Sequence, residues 1–428
     1  MSIKTMFTKT TQTKKPKMKR LIILVLLLFT FIPSSWAIEL PSEITLKTDF
    51  RIWEENLRYK NLTSEYQKDF FGNLEIKLLE GDRKILQDFI ETKTVEGVDV
   101  MKIKTYLEDK IAPAIYREKE DVIITEDEDG EIIFEGNGLI GRILDSEKAA
   151  FMVKKAIDEN IDYLSLPLIK ETPTVTVESK KLKKLGIKEL VAGGETNFSG
   201  SPYNRRVNIA VGLSKFDGEI IEKGEEFSFG QSLGRVDEST GYREELVIKG
   251  DQTIPEYGGG LCQVSTTAYR GVLAAGLPVT ERRNHSYAVR YYLPHGLDAT
   301  VYDYSPDLKF INDTPGALLM QTFTIGDKAY WNYYGTKDDR RSLLLGPWYS
   351  DWKEAPEKRI EYSEELEEGE IKEVGHAVPG FTTKWYRQVL YNDEKNTEKL
   401  DLIKSKYQAR PDYEIIGKKS IDIPADGY

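Results

Sequence analysis

Cysteine and histidine are scarce in this chain of 428 residues, which contains one cysteine and three histidines. A single cysteine excludes an intramolecular disulfide, and it leaves none of the Cys and His spacings that hold zinc. The sequence also lacks a phosphate-cradling glycine motif, a dinucleotide fingerprint and a serine nucleophile elbow. We therefore expect neither a metal ion nor a cofactor. The unpaired thiol of Cys262 is the reactive group whose role needs an explanation.

Hydrophobic runs long enough to span a membrane are also missing. The longest apolar run lies near the first residue. Residues 1–20 carry seven basic and no acidic residues, and a largely apolar run of twelve, Leu21 to Ile32, follows. Twelve helical residues span about 18 Å, too short for a hydrocarbon core of about 30 Å. With small residues at Ser35 and Ala37, the pattern predicts a secretory signal peptide over residues 1–37. We expect an extracytoplasmic protein, secreted or associated with the cell envelope, that meets the membrane only if this segment stays uncleaved.

Positive charge is in deficit, because 60 Lys and Arg face 71 Asp and Glu and the formal net charge is −11. Removing the seven positive charges of residues 1–37 changes the net charge to −18. Nucleic acids and anionic lipids require clustered Lys and Arg, so neither is expected as a main partner. The length that remains after processing predicts two or three domains.

The segment around Cys262 has the pattern of a short buried helix that starts at the thiol. Three glycines, Gly258 to Gly260, precede it and allow turns that a Cβ forbids. Gly276 and Pro278 mark its end. The amino terminus of a helix favours a thiolate, so this is a reactive position, although a cysteine that only packs in the core is the alternative. The apolar face recurs at helical spacing and comprises Val264, Ala268, Val272 and Leu273.

His285 opens the next segment, for which the composition predicts a β-hairpin. Residues 287–293 are rich in aromatic and β-branched types, residues 294–296 form a Pro-His-Gly turn, and residues 299–304 are the returning strand. The order of cysteine, helix, histidine and aspartate resembles that of papain-like and transglutaminase-like enzymes. In such a site Cys262 is the nucleophile, His285 the proton shuttle and an aspartate the group that orients the imidazole.

Further motifs surround this segment. They are TNFS at 196–199, RRVNI at 205–209, GEEFSF at 224–229, YGGGLCQVSTT at 257–267, NHS at 284–286, GLDAT at 296–300 and DLKF at 307–310. Together they resemble the VanW family over about residues 186–330, a family named for an accessory protein of vancomycin-resistance clusters. The resemblance implies an extracytoplasmic protein connected with the bacterial cell wall, with peptidoglycan or its precursors as partner. It supplies no mechanism.

Two aspartates compete for the third catalytic position, since Asp298 and Asp307 both match the family pattern. A tight hairpin centred on His295 would bring Asp307 near His285 and leave Asp298 about 23 Å away along the strand. Either the connection is not a tight hairpin, or Asp298 caps the turn and Asp307 orients the histidine. Both remain candidates.

The substrate-binding candidates are Gly259, Gly260, Gln263 and Arg206. The alternative for Arg205, Arg206 and Asn208 is that they brace the core through salt bridges. Residues 281–283, Glu-Arg-Arg, are expected to form a solvated turn, and His295 is expected to be exposed rather than catalytic.

The predicted fold class is α+β and multidomain, with a cysteine-bearing helix packed on an antiparallel sheet and a small β module after it. The boundaries are 1–37 for the signal peptide, 38–180 for an α+β domain, 181–335 for the VanW-like core and 336–428 for the β-rich module. Residues 40–114 favour helix. Within 115–178 a hairpin over Asp121 to Glu135, a helix from Ser146 and a strand resemble the peptidoglycan-binding domain that precedes the core in many VanW-family proteins; a spacer without ligand is the alternative.

Two functions of different classes follow. The first is a thiol enzyme that acts on cell-wall peptides by amide hydrolysis or transpeptidation. The second is a non-catalytic envelope protein in which the same motifs build a groove for peptidoglycan or a precursor.

Overall fold

The computed structural model describes residues 44–48, 57–59, 62–68, 74–78, 100–158, 163–249, 252–302, 305–391 and 398–418. The predicted signal peptide lies outside these residues. Helices and antiparallel strands occur together throughout them, which confirms the α+β class. Within the described part of the chain, no helix is both long and apolar enough to span a membrane.

The α-helices of the described residues, in chain order, are α1 (Val100–Tyr106), α2 (Ala112–Ile115), α3 (Ser146–Asp158), α4 (Lys180–Leu185), α5 (Tyr203–Ser214), α6 (Phe229–Leu233) and α7 (Leu261–Ala275). The strands up to the thiol helix α7 are β1 (Ile44–Thr48), β2 (Leu57–Tyr59), β3 (Leu62–Lys68), β4 (Leu74–Leu78), β5 (Val122–Glu126), β6 (Ile132–Glu135), β7 (Gly141–Leu144), β8 (Tyr163–Leu166), β9 (Leu168–Glu171), β10 (Val175–Val177), β11 (Glu189–Asn197), β12 (Ile220–Ile221), β13 (Glu226–Ser228), β14 (Glu244–Lys249) and β15 (Gln252–Tyr257).

The strands after it are β16 (Val279–Glu281), β17 (Lys309–Ile311), β18 (Leu318–Ile325), β19 (Lys328–Gly335), β20 (Arg341–Lys353), β21 (Arg359–Ser363), β22 (Ile371–Gly375), β23 (Gly380–Leu390), β24 (Glu398–Tyr407) and β25 (Tyr413–Gly417). Single 3₁₀ turns cover Glu238–Thr240 and Arg290–Tyr292, and a π-helical turn covers Leu107–Ile111.

The prediction of helix for residues 40–114 is wrong for the four strands that form there. They make a sheet in the order β2-β3-β4-β1-β8, in which β1 runs antiparallel to β4 and parallel to β8. The sequence of β4 alternates apolar and polar residues at Leu74, Ile76 and Leu78, the period of a strand. Pairing with neighbouring strands outweighs the weak helix preference of such short segments.

Two local predictions within residues 115–178 are confirmed. Strands β5 and β6 form the expected hairpin, with Ile124 opposite Phe134 and Gly130 in the turn at φ +86°. Helix α3 begins at Ser146, and the carboxylate of Asp145 accepts from the backbone N–H of Lys148 at 3.1 Å, so Asp145 caps the helix.

The central sheet, in the order β11-β19-β18-β12, separates two hydrophobic cores. On β19, Trp331 and Tyr333 point to the core that contains α7, while Tyr334 packs with Val122 and Ile124 of β5 on the other face. This alternation is the two-residue period of a strand buried on both sides.

Helix α7 lies unusually close to β11. A Cβ on Gly194 would sit 2.0 Å from the carbonyl oxygen of Thr267, and a Cβ on Gly271 would sit 2.6 Å from the Tyr333 ring. The absence of side chains at these two glycines therefore lets helix and strand backbones meet. The position of Cys262 relative to the sheet depends on this contact.

A further sheet, in the order β20-β23-β24, packs on the core that contains α7. Trp385 of β23 belongs to the α7 core cluster and donates from Nε1 to the carbonyl of His295 at 2.8 Å. Arg387 donates to the carbonyl of Leu277 at 2.8 Å. These contacts join the predicted core and the predicted β-rich module, while the domain boundaries themselves stay predictions.

We expect Gly194→Ala to lower the free energy of unfolding by about 3 kcal/mol, because the new methyl group meets backbone that can only move as a whole helix. The control is Gly224→Ala, where φ is +84° but a Cβ meets nothing within 4 Å; its cost is the backbone strain of about 1 kcal/mol. Urea unfolding followed by tryptophan fluorescence measures both. Equal losses would show that α7 can shift away from β11 at little cost.

Candidate thiol site

Cys262 lies in the first turn of α7, where the sequence predicted it. Gly258 and Gly260 have φ of +79° and +121°, which glycine adopts without strain. A Cβ on Gly260 would lie 3.1 Å from Ile209 and 3.2 Å from the carbonyl oxygen of Arg205 in α5. The glycine turn thus packs directly on α5, and it leaves the Cys262 side chain half-buried at the helix start.

His285 connects the thiol to a carboxylate. Its ring acts electrostatically on the Cys262 sulfur, while its Nδ1 lies 2.6 Å from Oδ2 of Asp298. The backbone N–H of His285 donates to the same oxygen at 2.8 Å. Because Nδ1 is held by Asp298, Nε2 is the ring nitrogen that stays available to the thiol. Thr300 adds a contact from its hydroxyl to the sulfur at 3.5 Å.

The pKa shifts of Cys262 and His285 favour the charged form of both groups. Burial raises the pKa of Cys262, but the neighbouring His285 outweighs this effect and brings the pKa down to about 7. Burial lowers the pKa of His285, but Asp298 and the thiolate raise it to about 9. Between these values the pair is a thiolate and an imidazolium. This is the charge state that a nucleophilic cysteine requires.

Asp298 is only 1% exposed, and four donors on two segments, residues 282–285 and the strand of Tyr407, hold its carboxylate. Besides the two groups of His285, Oδ1 accepts from the hydroxyl of Tyr407 at 2.5 Å and from Arg282 at 3.3 Å. Burial raises the pKa of Asp298, yet His285 and Arg282 hold it well below its usual range. The carboxylate is therefore charged whenever the pair acts.

Arg282 corrects an expectation. The solvated turn predicted for residues 281–283 is wrong for this side chain, which is 8% exposed and lies under the site. It donates to the carbonyls of Asp298 at 2.6 Å and Gly296 at 2.9 Å, and its guanidinium lies 5.2 Å from the centre of the Tyr269 ring. Three adjacent charged residues are typical of a surface turn. The sequence does not reveal that two backbone carbonyls of the loop need a donor, which Arg282 supplies.

Asp307, the other candidate, lies at a different place. Its carboxylate accepts from the Ser228 hydroxyl at 2.6 Å and from the backbone N–H groups of Gly230 at 2.9 Å and Leu308 at 2.7 Å. These bonds tie the segment before β17 to the start of α6. Of the two aspartates, Asp298 is the one whose carboxylate contacts His285.

The hairpin predicted over residues 287–304 is wrong. Arg290–Tyr292 form a 3₁₀ turn, and the peptide bond from Leu293 to Pro294 is cis. The buried side chain of Arg270 donates to the carbonyls of Tyr292 and Leu293, each at 2.9 Å. These carbonyls are satisfied by a guanidinium of α7 and so need no partner strand. The resulting loop folds back over α7 and brings Asp298 beside His285.

The predicted substrate-binding residues lie in different surroundings, and not all of them are near the thiol. Gly259 packs against Glu245, and its carbonyl accepts from Asn208 at 3.0 Å. Gln263 is buried; it donates to the carbonyl of Asn197 at 3.2 Å and accepts from Arg205 at 3.2 Å. Gly260 forms the turn before the thiol.

Arg206 points elsewhere. It forms an ion pair with Asp327 and donates to the carbonyl of Ser201 at 2.9 Å, which fits the alternative in which it braces the core. Its neighbour Arg205 faces the thiol instead, since successive residues of a helix diverge by about 100°.

Two important residues were not found by sequence reasoning. Tyr407 lies 109 residues after Asp298, in a strand with no motif that marks its role. Arg205 stood in a motif, but the pattern could not distinguish it from Arg206. An unequal spacing of the two arginines from the apolar face of α5 is the signal that could have separated them.

These observations define an α+β protein with a cysteine at the amino end of a buried helix and, beside it, a histidine hydrogen-bonded to a buried aspartate. A sequence model of the VanW family, described as VanW like protein, matches residues 204–334. The matched residues include Cys262, His285 and Asp298, so residues 204–334 of this chain are a VanW-like domain. The match does not include the upstream residues for which a peptidoglycan-binding domain was predicted, and that domain stays a prediction.

Two curated relatives share this part of the chain. Uncharacterized protein YoaR of Bacillus subtilis (strain 168) is 32% identical over 141 residues, which are 33% of this chain and 46% of the relative. Vancomycin B-type resistance protein VanW of Enterococcus faecalis (strain ATCC 700802 / V583) is 29% identical over 116 residues, 26% of this chain and 42% of the relative. The chain thus spans less than half the length of the curated relatives it matches.

The rate of Cys262 alkylation by iodoacetamide should rise with a midpoint near pH 7, because the pKa of the thiol is lowered to about 7. In His285→Ala the midpoint should move up to about 8.5 or higher, since the imidazolium is lost and burial still raises the thiol pKa. The matched control is His376→Ala, because His376 is exposed and follows directly after β22. This variant should leave the midpoint unchanged. A profile that His285→Ala does not move would contradict the pairing.

The two aspartates can be separated by Asp298→Asn and Asp307→Asn. We expect Asp298→Asn to slow alkylation at pH 7 about tenfold, because an amide does not stabilise the imidazolium and the thiolate fraction falls. Asp307→Asn should leave the alkylation rate unchanged and lower the free energy of unfolding by about 1–3 kcal/mol, since it weakens buried hydrogen bonds. If Asp307→Asn slowed alkylation and Asp298→Asn did not, Asp307 would be the aspartate that acts on His285.

Proposed function

We propose that this protein is a thiol enzyme that acts on peptide amides of the bacterial cell wall. The observation that carries the proposal is the His285 ring, which acts on the Cys262 sulfur and is held at Nδ1 by the buried Asp298 carboxylate at 2.6 Å. A cysteine that only packs in a core needs no imidazole, and an imidazole that only packs needs no buried aspartate bonded to its Nδ1. Together the three groups have the roles of nucleophile, proton shuttle and orienting group.

The arrangement favours the papain-like and transglutaminase-like class. A cysteine at the first turn of a helix, a helix packed on an antiparallel sheet, and a downstream histidine and aspartate are its defining parts. Its likeness to that class rests on these parts and on their order along the chain.

In the first step the Cys262 thiolate attacks the carbonyl carbon of an amide, so that a C–S bond forms and the oxygen becomes an oxyanion. Backbone N–H groups of the first helical turn lack intrahelical acceptors, and that of Cys262 is placed to stabilise this charge. The C=O bond then re-forms as the C–N bond breaks, and the nitrogen takes the proton of the His285 imidazolium. The products are a free amine and a thioester on Cys262.

In the second step neutral His285 takes a proton from the incoming nucleophile. Attack by water on the thioester breaks the C–S bond and releases a carboxylic acid, which is amide hydrolysis. Attack by the amine of a second peptide forms a new amide instead, which is transpeptidation. Either route restores the thiolate and the imidazolium.

The cell-wall assignment rests on other observations. The predicted signal peptide would deliver the protein outside the cytoplasm, and the Enterococcus relative is named as a vancomycin resistance protein. We propose that peptidoglycan or its precursors supply the peptide, and that residues 115–178 add a wall-binding domain. The surplus of acidic residues gives no support to nucleic acid as a partner.

The test is incubation of the full-length protein, Cys262→Ala and the control His376→Ala with purified muropeptides, followed by chromatography and mass spectrometry. Wild type and His376→Ala should release or exchange peptides, and an acid-quenched sample should carry a thioester adduct on Cys262; Cys262→Ala should yield neither. Equal muropeptide binding by wild type and Cys262→Ala with no product from either would replace the enzyme with the binding-protein alternative.

A further inference from the structure

Arg205 lies at the opening of the thiol site and has no role in the Cys-His-Asp chain. It comes from the first turn of α5, and the glycine turn before Cys262 packs on its backbone. Its guanidinium donates to Gln263, the residue after the thiol, at 3.2 Å, and its charge acts on the Cys262 sulfur. Arg205, Cys262 and Tyr291 are all half-buried, so they form a surface that solvent can reach.

The aromatic residues of the 3₁₀ turn orient this guanidinium. It lies 5.1 Å from the centre of the Tyr291 ring and interacts electrostatically with Tyr292. The Tyr292 ring in turn stacks on His285, with centroids 4.5 Å apart and an angle of 22° between the planes. Arg205 is therefore fixed in the same frame as the imidazole that would serve Cys262.

The bonds of Arg205 are incomplete. Its Nε is buried and has no hydrogen-bond partner among the residues that the structure describes. Within those residues no carboxylate lies at ion-pair distance from it, whereas Arg206, Arg282, Arg340 and Arg387 each pair with an aspartate. A guanidinium prefers a carboxylate that accepts two parallel hydrogen bonds, and the described residues supply no such acceptor to Arg205.

We propose that Arg205 binds a carboxylate of the substrate beside the carbonyl that Cys262 attacks. The substrate class is then a peptide with a free carboxylate, terminal or on a side chain, within a residue of the amide that is cleaved or exchanged. This inference rests on the proposed function, because it assigns specificity to the same site. It makes Arg205 a substrate-binding residue that leaves the proton transfers to His285.

The test compares two alkylating reagents that differ in a carboxylate. Iodoacetate and iodoacetamide attack the same sulfur, and 3-iodopropionate with its amide extends the reach by one methylene. We expect the rate ratio of acid to amide to fall about tenfold in Arg205→Gln, the effect of losing one charge-assisted contact. Arg205→Lys should recover part of the ratio, because it keeps the charge and loses the two-pronged geometry.

The control is Arg206→Gln, which removes a neighbouring positive charge that pairs with Asp327 and should leave the ratio unchanged. A ratio that is the same in wild type and Arg205→Gln for both reagent pairs overturns the proposal, as does an equal fall in Arg206→Gln, which would mean general attraction of anions. Measured at a pH where the thiol is fully ionised, the ratio is independent of thiol activation. Failure of the proposed enzyme would instead appear as an unshifted alkylation midpoint with the ratio still dependent on Arg205.

Discussion

The buried carboxylate of Asp298 is the constraint on which the arrangement of the site depends. A charge at 1% exposure is stable only with donors on every side, and here they come from His285, Arg282 and Tyr407. Arg282 and His285 belong to one segment, and Tyr407 comes from a strand more than a hundred residues later. The strand that carries Tyr407 lies beyond the residues matched by the VanW family, so the C-terminal sheet is part of the site's support in this protein.

The position of the nucleophile depends on close packing between helix and strand. Gly194 and Gly271 bring the backbones of β11 and α7 together, and Arg270 of the same helix fixes the loop after His285. Helix, sheet and loop therefore form one packed support, which places the thiol and the imidazole near each other without a substrate. Such preorganisation is what electrostatic stabilisation of a thiolate and an imidazolium requires.

The arginines of the core divide into two kinds. Arg206, Arg282 and Arg387 compensate aspartates or buried carbonyls, and their bonds are made within the fold. Arg205 is held by aromatic rings and an amide, and its Nε lacks an acceptor among the described residues. In a strongly acidic protein, such a group gives the thiol site a local positive charge that the overall composition conceals.

The sequence by itself determined the features that arise from local interactions. Glycines and an apolar repeat placed Cys262 at the start of α7, and a turn between apolar runs predicted the β5–β6 hairpin. The choice between Asp298 and Asp307, the loop in place of a hairpin and the role of Tyr407 were decided only by the tertiary structure. Each depends on donors far away in sequence, with 109 residues between Tyr407 and Asp298. Local periodicity reports which face of an element is buried, but it carries no information on which distant group satisfies a buried carbonyl or carboxylate.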